Sequence, residues 1–225
     1  MRISEVFCSV QGEGRYAGTP SVFVRTTGCN LRCRFCDTRY TSWEPEGTQQ
    51  RWQDLLVDVL RNECEHVVVT GGEPLLQRDV VPFTRALGEA GRFVTIETAG
   101  TVDRPVHADL MSISPKRSNS TPDDERWSER HEQLRDDPRV IARLIEAYRF
   151  QLKFVIDSPL DVDDVDAYLQ RFPTVDRENV FLMPQAVTAE DIHRKNAWLQ
   201  SAAAERGYRV SPRLHIELYG NVRGC

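Results

Sequence analysis

Short apolar runs alternate with stretches of helical periodicity along most of this chain. Ser21-Val-Phe-Val-Arg-Thr-Thr-Gly28 reads as a first β-branched strand. Trp52, Leu55, Leu56, Val59 and Leu60 then recur at helical spacing between Arg51 and Cys64. His66-Val-Val-Val-Thr70 makes a second strand, stopping at Gly71-Gly72, and Val80, Val81, Phe83, Thr84 and Leu87 a second helix closing at Gly88 or Gly91. Further strands are expected at Arg92–Glu97, His107–Ser114, Phe150–Ile156 and Asn179–Met183. Helices are expected at Val140–Tyr148, Val162–Arg171 and Ala189–Arg206, with Lys116 to Asp137 a polar loop containing some helix and Arg213 to Leu218 a last extended piece.

Strands alternating with helices imply βαβ units and a parallel sheet. About six units fall short of the eight that close a barrel. The expected fold is therefore α/β, a partial, open (β/α)6 TIM-like barrel, with a doubly wound sheet as the alternative. No internal repeat or low-complexity stretch divides the 225 residues, so a single domain spanning 1–225 is expected. In either fold, function collects at the carboxyl ends of the strands, where Cys29–Cys36, Gly71–Pro74, Glu97–Gly100 and Ser114–Lys116 fall.

Composition narrows the function classes. Hydrophobic residues make up 40% and charged ones 28%, as in a globular protein. The net charge of −5, with no basic stripe, argues against nucleic acid as a partner, and no apolar run approaches membrane-spanning length. Met1–Val10 contains no long apolar region of a secretory leader, so six cysteines point to a reducing cytoplasm.

The chemistry concentrates in Cys29-Asn-Leu-Arg-Cys33-Arg-Phe-Cys36, on the loop leaving the first strand. Three thiolates at C-x3-C-x2-C suit an iron–sulfur cluster or zinc. Zinc would want a fourth ligand from a second knuckle, whereas Cys8, Cys64 and Cys225 stand alone and the histidines are scattered. A four-iron cube on three cysteines leaves one iron open to a chelating ligand. Thr70-Gly-Gly-Glu-Pro74 leaves the second strand; its glycines admit a ligand close to the backbone, and its carbonyls and Glu73 are acceptors for an ammonium group. The same five residues also describe a plain βα turn with proline opening the helix. Cys8 and Cys64 read as small buried hydrophobes, and His107 and His215 as structural hydrogen-bonding groups.

The cysteine motif followed by Gly71-Gly72-Glu73-Pro74 resembles the radical S-adenosylmethionine superfamily. Gln11-Gly-Glu-Gly14, Phe23-Val-Arg25, Cys36-Asp-Thr38, Glu97-Thr98, Ser114-Pro-Lys116 and Arg213-Leu-His215…Gly220-Asn…Arg223-Gly224 narrow this to a resemblance to the 7-carboxy-7-deazaguanine synthase family of queuosine biosynthesis. The resemblance implies a lyase that turns 6-carboxy-5,6,7,8-tetrahydropterin into 7-carboxy-7-deazaguanine with loss of ammonia. It implies a [4Fe–4S] cluster on Cys29, Cys33 and Cys36, S-adenosyl-L-methionine on the cluster's open iron, and Mg2+ at Thr38. It assigns cofactor contacts to Gly72, Glu73, Ser114, Pro115, Lys116, Met183, Pro184, Gln185 and Ala186, the last stretch agreeing with the family mainly at its proline. Substrate contacts fall on Val10, Gln11, Gly12, Arg25, Thr70 and the terminal carboxylate of Cys225, with Arg25 suited to a bidentate grip on a carboxylate. Ala99 stands where the family often has asparagine. A homodimer and a flavodoxin or ferredoxin electron donor are the implied partners. A glycyl-radical activase would share the cysteine motif without Gln11–Gly14 or Cys36–Thr38, and a partner-binding zinc or iron–sulfur module is the non-enzymatic alternative.

Overall fold

The computed structural model describes residues 1–224, so the Cys225 contact lies outside the described residues. In chain order the strands are β1 (Arg2–Val10), β2 (Pro20–Thr26), β3 (Thr48–Gln49), β4 (His66–Gly71), β5 (Phe93–Thr98), β6 (Leu110–Ile113), β7 (Phe150–Ile156), β8 (Val180–Pro184) and β9 (Arg209–Val210). The helices are α1 (Arg39–Ser42), α2 (Trp52–Leu60), α3 (Val80–Glu89), α4 (Glu125–Arg135), α5 (Pro138–Ala147), α6 (Pro159–Leu169), α7 (Ala189–Arg206) and α8 (Leu214–Tyr219).

One sheet runs in the order β3-β1-β2-β4-β5-β6-β7-β8-β9. Beyond the β3-β1-β2 edge every pairing is parallel: β2 lies beside β4, and from β4 to β9 each strand lies beside its successor in sequence. That order has no reversal point, which excludes the doubly wound arrangement. The sheet begins at β3 and ends at β9, two-residue strands at its open edges. The six strands β2, β4, β5, β6, β7 and β8 are the six units expected of an open barrel.

Strand alternation sorts the side chains. Val22, Val24, Val67, Val69, Val94, Ile96, Met111, Ile113, Leu152, Phe154, Val180 and Leu182 point outward and are buried with Leu55, Val59, Phe83, Leu87, Leu144 and Leu199 of the helices. The intervening positions point inward, and there the chain carries Arg25, Thr70, Glu97, Ser112 and Lys153. The sheet therefore has an apolar outer face under helices and a polar concave face.

Three expectations change. Cys8, expected to be buried, is exposed on β1, and Cys64 is half-buried. β1 was not foreseen: it pairs antiparallel with β2 from Val10↔Pro20 to Ile3↔Thr26, and a register irregularity between Ile3 and Glu5 breaks its alternation. The last extended piece is instead α8. Leu214, Ile216 and Leu218 mimic strand alternation, but only Ile216 is buried, while Leu218 is 60% exposed. No helix is long and apolar enough to cross a membrane among the described residues.

Candidate active site

The concave face encloses a cavity of about 380 Å³ at the carboxyl ends of the strands. That size accommodates small molecules. Cys29, Cys33 and Cys36 border it from the loop after β2, and Gly71 and Gly72 from the end of β4.

The cysteine loop is held by its own main chain and by neighbours. The Gly28 amide donates to Thr41 O at 2.8 Å, and Trp43 Nε1 donates to Cys33 O at 3.1 Å. Cys36 Sγ lies 3.2 Å from Ser42 Oγ. Burial pushes the Cys29 and Cys33 thiols up to about 12, so thiolates persist there only beside strong positive charge. Among the described residues no three acidic, histidine or cysteine side chains converge on a single-ion site. The three thiols nevertheless influence one another electrostatically around one cavity wall. Three soft sulfur donors on one cavity wall are the ligand type an iron–sulfur cluster would take.

The glycine pair is dictated by contact. A Cβ on Gly71, whose φ is +131°, would stand 2.0 Å from Thr26 O, and one on Gly72 would stand 2.3 Å from Gly28 O. The turn thus packs directly on the root of the cysteine loop, joined by Gly72 N–H to Thr26 O (3.1 Å) and Glu73 N–H to Gly28 O (2.9 Å). Glu73 does not line the cavity. Its fully buried carboxylate accepts from Leu75 N–H (3.1 Å), Ala99 N–H (2.9 Å) and Thr98 Oγ1 (2.9 Å), and burial raises its pKa. Three protein donors thus hold the carboxylate within the turn.

Of the Ser-Pro-Lys stretch, Ser114 and Lys116 line the cavity, with Lys116 Nζ donating to Ser114 Oγ at 2.6 Å, while Pro115 is buried outside it. At the end of β8, Met183 and Gln185 reach the cavity; Pro184 and Ala186 do not. Val10, Gln11, Gly12, Arg25, Thr38 and Thr70 also line it.

A buried ionic network crosses the floor. Lys153 pairs with Glu13 and stands 3.8 Å from Glu97; Arg213 donates to Glu13 at 3.1 Å and to Asp37 at 2.5 Å. Burial alone would raise the Glu13 carboxyl, but the Lys153 and Arg213 cations outweigh it and hold it well below the usual carboxylate range. Glu97 accepts from Thr70 Oγ1 at 2.8 Å and Gln11 Nε2 at 3.2 Å. Gly12 packs against His215 so closely that a Cβ would meet Nδ1 at 2.0 Å, and burial lowers the His215 pKa. Lys153 was not foreseen; its one local signal is a lysine interrupting an apolar strand, Phe150-Gln-Leu-Lys-Phe-Val-Ile156.

Residues 23–117 match the Radical SAM superfamily. A 7-carboxy-7-deazaguanine synthase of Rhodopirellula baltica is 45% identical over 99% of this chain and 88% of that protein. The chain belongs to the 7-carboxy-7-deazaguanine synthase family. The family's namesake from Halobacterium salinarum is 42% identical over 98% of this chain and 91% of that protein. The crystal structure of QueE from Escherichia coli superposes with a TM-score of 0.72 at 23% identity, covering 93% of this chain and 92% of that one, and shares the open-sheet fold. Membership in the superfamily implies a [4Fe–4S] cluster and S-adenosylmethionine. The cysteine wall and the close-packed glycine turn are suited to them.

Proposed function

We propose that this chain converts 6-carboxy-5,6,7,8-tetrahydropterin to 7-carboxy-7-deazaguanine with loss of ammonia. It works as a single domain within a cytoplasmic homodimer, on electrons from a flavodoxin or ferredoxin and with Mg2+ at Thr38. Cys29, Cys33 and Cys36 hold the cluster; Gly72, Ser114, Lys116, Met183 and Gln185 border the seat of adenosylmethionine. When bound, these groups supply one-electron chemistry that ends in abstraction of a hydrogen atom from the substrate.

The observation that carries the reading is the polarity of the concave face. Arg25 presents a cation to the cavity from β2, while Glu97, Gln11 and Thr70 form a linked set of donors and acceptors nearby. A small, flat heterocycle bearing a carboxylate and amide edges needs this combination. Lys153 keeps its proton because Glu13 and Glu97 outweigh the effect of burial, so it offers the cavity a second fixed cation. Phe7 and Phe23, stacked 5.1 Å apart, provide an apolar wall that excludes water.

The test is anaerobic incubation of the iron-reconstituted chain with reductant, adenosylmethionine and the carboxytetrahydropterin. Ammonia and the deazapurine are expected together. Adenosylmethionine cleavage without either product would assign the chain to another radical reaction.

A further inference from the structure

Residues 27 to 38, which carry the three cysteines, contain neither strand nor helix, so their amides need partners outside regular structure. Two of those amides are taken by a segment that the polar pattern of Lys116 to Asp137 left undefined. Arg32 N–H donates to His131 Nδ1 at 3.2 Å, and Arg34 N–H donates to Ser120 O at 2.9 Å. Both acceptors are buried, at 1% and 0% exposure.

The hydrogen bonds fix the imidazole's tautomer. A backbone N–H can only donate, so Nδ1 is the acceptor and the ring proton sits on Nε2. Nε2 then donates to Ser120 Oγ at 2.9 Å, and that hydroxyl donates onward to Arg117 O at 2.6 Å. Burial pushes the His131 pKa down to about 4, in keeping with a neutral ring. The side chain of Arg32 adds a second tie: its guanidinium lies 4.4 Å from the Trp127 ring, one turn before His131 in α4, while Nη1 donates to Cys29 O and Leu31 O at 2.8 Å. The same segment begins at Ser114 and Lys116 on the cavity, and Arg135 Nη1 returns to Lys116 O at 3.2 Å.

We propose that His131 is a positioning residue for the iron–sulfur cluster, setting the main-chain course between Cys29 and Cys33 through the Arg32 amide. It touches neither iron nor substrate. Its effect is retention of the cluster, because a loop held in register keeps the three thiolates on one cavity wall, and a freed loop lets one leave. The inference rests on the assignment of the cluster to Cys29, Cys33 and Cys36.

Two near-isosteric variants separate positioning from mere core filling. His131→Asn keeps an acceptor oxygen near the place of Nδ1, whereas His131→Gln places its amide near Nε2 and leaves the Arg32 N–H unpaired. In anaerobically reconstituted protein challenged with a chelator, His131→Asn is expected to hold its visible absorbance within about twofold of the parent half-life, and His131→Gln to lose it about tenfold faster. Thermal melts of the iron-free chains provide the folding control. Equal loss rates in the two variants, or faster loss in His131→Asn, would overturn the proposal. Amide hydrogen exchange of the parent chain, read without any variant, gives a second arm. Protection of the Arg32 and Arg34 amides is expected in the iron-free chain as well as the loaded one. Rapid exchange of both in the iron-free chain would also overturn the role. A parent chain that never takes up iron would instead refute the cluster assignment, while the exchange arm still reads the His131 contact.

Discussion

Arg25 and Glu5 stand directly opposite each other in the β1–β2 register, and Arg25 Nε donates to Glu5 Oε1 at 2.6 Å. Glu5 also accepts from Tyr40 Oη at 2.8 Å, and its second oxygen meets Arg223 Nε at 3.4 Å. The pair is 16% and 14% exposed, so the guanidinium is held along its Nε edge while its terminal nitrogens remain for a ligand. Arg25→Ala is expected to weaken substrate binding by roughly 2–5 kcal/mol if the guanidinium grips a buried carboxylate. Glu5→Gln keeps the guanidinium but loosens its aim, and a rise in KM of about tenfold is expected with kcat little changed. Steady-state kinetics on both variants checks this; unaltered constants for Arg25→Ala would remove it from the substrate site.

The Glu13 carboxylate links Lys153 and Arg213, which are 6% and 5% exposed. Because its folded pKa lies below the ordinary 4.5, its contribution to stability is full above about pH 4.5. It is lost progressively as the pH falls toward the folded value. Glu13→Gln leaves two buried cations short of an anion and is expected to cost roughly 3–5 kcal/mol at pH 7. That gap should narrow below about pH 4.5, as the parent loses what the variant never had. Denaturant unfolding at pH 7 and pH 3 measures it, and a gap of the same size at both pH values would contradict the network.

The legible parts of this fold are those in which one strand carries its own signal. Val67-Val-Val69 and Phe181-Leu-Met183 read as strands because these residues are buried both on the helix-covered face and on the concave face. The cysteine spacing marks its loop because the ligands lie close together in sequence. Other features need contacts that no local pattern encodes. Glu13 meets Lys153 across 140 residues and Arg213 across 200. His131 meets Arg32 across 99. Nor does the turn sequence reveal that Leu75, Thr98 and Ala99 all donate to the Glu73 carboxylate.

Gly72 provides the sharpest steric test. A Cβ there meets not a flexible side chain but Gly28 O at 2.3 Å and Thr41 O at 2.8 Å, so main chain must move. Gly72→Ala is expected to displace the cysteine loop relative to β4. Adenosylmethionine binding should weaken at least about tenfold, consistent with a repulsive contact of 1–3 kcal/mol. Calorimetric titration of the reconstituted variant reads the affinity, with iron content measured beside it; parent-like values for both would mean the turn can yield.

Thr38 carries the narrowest of the metal expectations. Its Oγ1 lies 3.4 Å from Thr41 Oγ1, which donates to Thr38 O at 2.9 Å, and 3.9 Å from Cys36 Sγ. The hydroxyl thus sits on the cavity wall two residues after the third cysteine, beside Asp37, whose carboxylate is paired with Arg213. A magnesium ion at such a point draws its remaining oxygens from substrate and water, so its affinity should depend on substrate being present. Thr38→Ser retains the ligand oxygen and is expected to keep stimulation by Mg2+; Thr38→Ala should lose it while cleaving adenosylmethionine at close to the parent rate. Product formation titrated against Mg2+ in the two variants decides the matter. Equal stimulation in both would place the ion, if one binds, away from this hydroxyl.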